Sequence, residues 1–162
     1  MRIGEGVEWS LHACTVLAAV PEAKVLPARG LAEVLGVAAP YLAKHLQALS
    51  RAGIVEAVAG QRGGYRLARA PERITMLDVV LAVEGDEPAF VCTEIRQKGV
   101  VRLPSSAFVV PCGVARAMWA AEDAWRAELS RRTIADLVAA AAVGFTPEAV
   151  DQLVRWFQEV VR

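Results

Sequence analysis

The chain has 162 residues, 55% of them hydrophobic, enough to bury the core of one domain without disulfide staples. No apolar run reaches the roughly 18 residues of a membrane-spanning helix, and Met1-Arg2 leads into Gly, Glu and Val rather than the apolar core of a leader peptide. The expectation is a soluble, cytoplasmic protein with no membrane partner. Net charge is formally zero, which excludes a uniformly basic nucleic-acid binder but not a local one. Residues 24–73 hold Lys24, Arg29, Lys44, Arg51, Arg62, Arg66, Arg69 and Arg73 against Glu33, Glu56 and Glu72, a net of +5 that leaves −5 for the remainder. A basic lobe joined to an acidic lobe with another task fits that split.

In chain order, apolar residues Val7, Leu11, Cys14, Val16, Leu17 and Val20 outline a first helix over residues 7–20, ended by Pro21. A second helix runs over about 27–35 and stops at Gly36 in C-cap position. Pro40 opens a third, with Leu42, Leu46 and Leu49 at i, i+4 and i+7, and Gly53 closes it. The pair forms a helix-turn-helix candidate. Residues 54–58 and 65–67 flank the glycine-rich turn Gly60-Gln61-Arg62-Gly63-Gly64 and read as a two-stranded wing. Thr75-Met76-Leu77-Asp78 is a capping box for a helix reaching about Glu84.

Residues 85–110 show no sustained period, and so long a connection in a compact domain is functional or disordered. After Pro111 a long helix carries Val114, Met118, Ala121, Trp125 and Leu129 at spacings of four or three, a stripe able to seat a partner helix. Thr133-Ile134-Ala135-Asp136 is a second capping box, and Thr146-Pro147-Glu148 starts a last helix. No internal repeat or low-complexity tract is visible. The expected fold is mainly α with a small β-hairpin wing. A winged helix-turn-helix domain over 1–84 (wing about 54–68) leads into a loop over 85–111, then a dimerisation helix and C-terminal helices over 112–162.

With the leucine stripe turned inward, the third helix leaves Tyr41, Lys44, His45 and Gln47 for the major groove of a double-stranded DNA operator. Arg29 and the wing residues Arg62, Gly63, Gly64 and Tyr65 complete the expected DNA-contacting set, with Arg62 reaching a phosphate or the minor groove. Ala38, Ala39 and Pro40 at the head of that helix offer no side-chain hydrogen bonds to base edges, so shape and phosphate contacts carry more of the affinity.

Through Tyr41-Leu42-Ala43-Lys44, Leu49-Ser50-Arg51-Ala52-Gly53-Ile54-Val55, Gly63-Gly64-Tyr65-Arg66-Leu67-Ala68 and Ile74-Thr75-Met76-Leu77-Asp78-Val79-Val80, the sequence resembles the Rrf-two family of bacterial winged-helix transcription regulators over essentially its whole length. The resemblance implies a homodimer built on the helix after Pro111, with paired winged domains on a roughly palindromic site. It implies no enzymatic activity.

Of the three cysteines, Cys14 lies on the apolar side of the first helix and reads as a small buried residue. Cys92 and Cys112 bracket the irregular loop, and Cys112 sits where a helix N-terminus favours a thiolate. Two thiolates are half a metal or cluster site. Iron-sulfur members of the family carry three closely spaced cysteines in this loop, whereas the 19 residues between Cys92 and Cys112 contain none. Either a cluster is absent or other residue types complete it. Glu8 and His12, at i and i+4 on the first helix, project from one face and can chelate one iron.

With Trp9 between them, these residues are similar to the redox-sensing iron-sulfur subgroup typified by RsrR. That likeness implies a 2Fe-2S cluster held by Glu8, His12, Cys92 and Cys112, with the helix pair and the cysteine pair from different subunits. Such a set brings −3 where four thiolates bring −4, which raises the reduction potential as His ligation does in Rieske centres. Trp9 is read as core filler, or as a gate beside the cluster that moves the first helix against the DNA-binding lobe. The alternatives to this redox-sensing repressor are a cluster-free regulator sensing through thiol chemistry of Cys92 and Cys112, and a metal-dependent enzyme.

Overall fold

The computed structural model describes residues 3–101 and 103–162; the reading of Met1-Arg2 lies outside them. Seven helices and one hairpin follow in the order α1 (Glu5–Ala18), α2 (Ala28–Leu35), α3 (Ala39–Arg51), β1 (Val55–Val58), β2 (Gly64–Leu67), α4 (Met76–Glu84), α5 (Gly113–Arg131), α6 (Ile134–Val143) and α7 (Pro147–Val160).

The helix boundaries follow from local chemistry. Gly36 ends α2 in the left-handed region at φ 65°, ψ 27°, and Gly53 turns the chain out of α3 at φ 66°. Thr75 and Thr133 cap α4 and α6 with full reciprocal capping boxes through Asp78 and Asp136, and the Thr146 hydroxyl accepts from the Ala149 amide at the start of α7.

α1 is the hub of the core. Its Val7, Ala13, Cys14 and Leu17 are buried with Leu31 and Ala32 of α2, Leu42, Leu46 and Leu49 of α3, Ile54 and Val55 at the wing root, and Ile74 and Val79. The buried Ser10 hydroxyl is satisfied within the helix, donating to the Gly6 carbonyl at 2.7 Å. Ile134 of α6 completes the same cluster, and Leu137, Val138, Trp156 and Val160 pack against it. The chain therefore leaves the α1–α4 lobe along α5 but returns to it through α6 and α7, and residues 112–162 do not build a separate core.

The wing is a two-stranded antiparallel ribbon with Val55 opposite Leu67 and Val58 opposite Gly64. Its second strand is pinned from behind, where Leu26 and Tyr65 exchange both backbone hydrogen bonds at 2.9 Å. Next to that bridge, Val25 exchanges backbone hydrogen bonds with Arg162 at 2.9 and 3.0 Å. The Arg162 guanidinium also donates to the Gln61 carbonyl at the wing tip, at 2.9 Å.

The described residues of 85–112 hold two 3-10 turns, Ile95–Gln97 and Ser105–Ala107, and otherwise irregular backbone. Side chains of α5 fasten the stretch. The Trp119 indole N–H donates to the Phe90 carbonyl at 3.3 Å, Glu122 accepts from the Ala89 amide at 3.0 Å, and Arg126 pairs with Asp86 and Glu122.

Candidate metal centre and nucleic-acid interface

Cys112 is the N-cap of α5, and its sulfur accepts a hydrogen bond from the Ala115 amide at 3.3 Å. The sulfur thus stands at the amino end of a 19-residue helix. Cys92 arrives from the other limb of the loop, and the two Sγ atoms stand 3.8 Å apart, both half-buried. Two sulfurs bound tetrahedrally to one metal at ~2.3 Å stand about 3.8 Å apart, whereas a disulfide needs ~2.05 Å. The spacing is compatible with two ligands on one ion and equally with a thiol–thiol hydrogen bond.

Beside Cys92 lies a largely apolar hollow in which Phe90, Phe108 and Trp119 are joined by the exposed Val91, Val109 and Val110. Arg96 closes it on one side. Its guanidinium forks onto Glu94 at 2.5 and 2.7 Å, donates to the Val110 carbonyl at 3.2 Å and lies 4.7 Å over the Phe108 ring. The Glu94 hydrogen bond holds the Arg96 guanidinium still further above its ordinary range, with smaller contributions from the charges of Glu94, Cys112 and Cys92. The same bond holds the Glu94 carboxyl below its ordinary range.

Glu8 and His12 are exposed on α1. Among the described residues of one chain, no three His, Cys, Asp or Glu side chains converge on a metal position. Each chain carries a Glu8–His12 pair on α1 and a Cys92–Cys112 dithiol at the head of α5. Cys14 is sealed in the core and burial pushes its thiol up to about 12, so it serves packing.

Trp9 turns from Glu8 and His12 toward the DNA-binding helix. Its ring packs edge-on to Tyr41, centroids 6.3 Å apart, and to His45 at 5.9 Å. His45 lies over Gly6, where a Cβ would fall 2.8 Å from Nε2 and 3.0 Å from Nδ1. Desolvation, and after it the charge of Lys44, hold the His45 imidazole below its ordinary range, while Glu84 pulls the other way. The leucine stripe assigned His45 to the groove-facing side; the glycine opposite it admits the ring into the α1–α3 seam instead.

The other expected DNA contacts divide by exposure. Tyr41, Lys44 and Arg62 are open to solvent. Arg29 is exposed and paired with Glu33 at 2.8 Å. Gly63 and Gly64 have structural duties, because a Cβ on Gly63 would stand 2.9 Å from the Gly60 carbonyl and one on Gly64 would meet the Leu26 carbonyl at 2.5 Å. Tyr65 packs half-buried against the core. No described helix is long and apolar enough to cross a membrane.

Residues 3–140 match the family model described as Rrf2, iron-dependent transcriptional regulator. The chain belongs to the Rrf2 family. It is 39% identical over 110 residues to Protein aau3 of Rhizobium meliloti (strain 1021), spanning 68% of each chain. Among solved structures, T. potens IscR superposes with a TM-score of 0.65 at 23% identity, covering 87% of this chain and 88% of that one. The oxidized form of Staphylococcus aureus CymR gives 0.64 at 22% identity, covering 85% and 96%. At those identities the two structures establish the winged-helix fold. This Rrf2 protein is a DNA-binding transcription regulator, as its family is; α7 lies beyond the matched residues.

Proposed function

We propose that this Rrf2 regulator acts as a homodimer whose operator affinity responds to the redox state of a 2Fe-2S cluster. Cys92 and Cys112 of one subunit would hold it together with Glu8 and His12 of the partner subunit. The observation that carries the reading is the 3.8 Å approach of the two sulfurs, one of them already accepting an amide hydrogen bond. The donor chemistry also fits, since thiolate, imidazole and carboxylate all bind iron. A cluster bound there supplies a one-electron change of charge.

The chain's own residues convey such a change to DNA. Glu8 and His12 flank Trp9 on α1, and Trp9 touches Tyr41 and His45 of α3, so a shift of α1 moves the helix that carries Tyr41 and Lys44. The open apolar stripe of α5, with Val114 66% and Met118 44% exposed, supports helix-on-helix dimerisation. Arg29, Tyr41, Lys44 and Arg62 supply the exposed DNA contacts, while His45, Gly63, Gly64 and Tyr65 hold the reading helix and wing in place.

A reversible Cys92–Cys112 disulfide rests on the same sulfur approach and is the second reading. Anaerobic visible and electron paramagnetic resonance spectra of wild type beside Glu8→Ala, His12→Ala, Cys92→Ala and Cys112→Ala separate the two. A coloured, iron-containing wild type with spectra altered by each substitution is expected. Spectra indifferent to all four refute the ligand set, and an iron-free protein that loses two thiols on oxidation favours the disulfide.

A further inference from the structure

Cys92 and Cys112 are separated by 19 residues whose described part is irregular apart from two 3-10 turns. A flexible loop of that length leaves two thiols at a modest effective concentration, far from a fixed 3.8 Å. Something must hold its limbs together. Among the described residues no strand ladder joins them, and the side-chain hydrogen bonds from α5 to Phe90, Ala89 and Asp86 fall ahead of Cys92.

Arg96 is the side chain that bridges the two limbs. It sits four residues past Cys92 and contacts Val110 and Phe108, which lead into Cys112. Its remaining donors fork onto Glu94, which is itself held at φ 47°, the one non-glycine residue in the left-handed region among the described residues. Glu94 is also part of the apolar hollow beside Cys92. A bidentate carboxylate restrains the guanidinium plane, and a restrained plane can stack on a ring and reach a carbonyl together, which a lysine ammonium cannot do.

We propose that the Arg96–Glu94 pair is a clip that presets the Cys92–Cys112 dithiol for a bridging thiophilic ligand and balances charge beside it, making both positioning residues of the sensor. This rests on the reading of the two cysteines as a ligand pair. Removing either partner frees the loop limbs and lowers dithiol affinity. The two removals have opposite electrostatic effects: without Arg96 an unpaired carboxylate remains near the sulfurs, and without Glu94 an unpaired guanidinium does.

The first test uses phenylarsine oxide, which bridges two neighbouring thiols, on apoprotein in competition with a soluble dithiol. Arg96→Gln and Glu94→Ala are each expected to weaken binding about tenfold (1.4 kcal/mol by the affinity conversion), with Arg96→Lys recovering only part. Affinities equal to wild type in both variants overturn the clip even if a cluster is present. An unchanged tenfold loss in a protein that never binds iron sustains the clip while the cluster reading falls. The second test is the midpoint potential of the loaded dimer, expected lower than wild type in Arg96→Gln and higher in Glu94→Ala. Shifts of the same sign overturn the charge-balancing half. Circular dichroism establishes folding, and if Arg96→Gln is unfolded, Glu94→Ala alone decides both tests.

Discussion

Gly6→Ala should separate stability from signalling. In α1 the added methyl would stand 2.8 Å from His45 Nε2 and 3.0 Å from Nδ1, closer than real contacts, and the imidazole must swing out of the seam. That loses the edge-on His45–Trp9 contact, for which aromatic pairs suggest about 0.5–1.5 kcal/mol. Replacing Gly by Ala in a helix returns up to about 1 kcal/mol, less at the second helical residue. The two nearly cancel, so urea unfolding should place the variant within about 1 kcal/mol of wild type. Coupling should not survive, because Trp9 then touches α3 through Tyr41 alone. Fluorescence anisotropy on an operator fragment, with protein oxidised and reduced, is expected to show the two affinities converging. A full redox response in a normally folded Gly6→Ala protein refutes the seam as the route from α1 to DNA.

Lys44→Ala and Arg62→Ala, both at exposed positions, should weaken binding to all sequences alike and each reduce the salt slope of log affinity by about 1, measured by titration at several salt concentrations; a change confined to one base position would mean base readout instead. Stability should also fall above pH 9. Cys14 has a folded value raised from 9.0 to about 12, so the unfolded chain releases this proton first. The thiol costs nothing below pH 9 and up to about 1.4 kcal/mol per pH unit between pH 9 and 12. Denaturant melts of Cys14→Ala across that window should have a shallower decline than wild type, and parallel curves would deny the buried thiol this role.

Much of the fold was legible because its signals are local. Gly36, Gly53, Thr75, Thr133 and Thr146 end or start helices by their own backbone or hydroxyl chemistry, and the structure has them doing so. The leucines at 42, 46 and 49 declare the buried face of α3. The site was legible as residues but not as geometry. Helical spacing pairs Glu8 with His12, yet nothing in an aperiodic loop reveals that Cys92 and Cys112 approach to 3.8 Å, or that Arg96 spans the limbs between them. His45 was misplaced for a related reason: helical phase puts it only ~100° from Leu46, and the vacancy that admits it is a glycine on another helix. The return of α7 onto α2, with Val160 beside Gly30, depends on tertiary packing that amphipathicity alone does not direct.

The pairing of Val25 with Arg162 has a consequence for assembly of the molecule. It joins the strand behind the wing to residues made at the far end of the sequence, a closure whose entropy cost must be met before the contact rewards it. A nascent chain that has exposed α1 through α4 holds every residue of the DNA-binding lobe but lacks the outermost support of its wing. On the ribosome the reading helix can therefore be seated early, while the wing tip at Gln61 gains its Arg162 contact only after α7 has emerged and docked. The contact that steadies the wing tip thus forms only once α7 is in place.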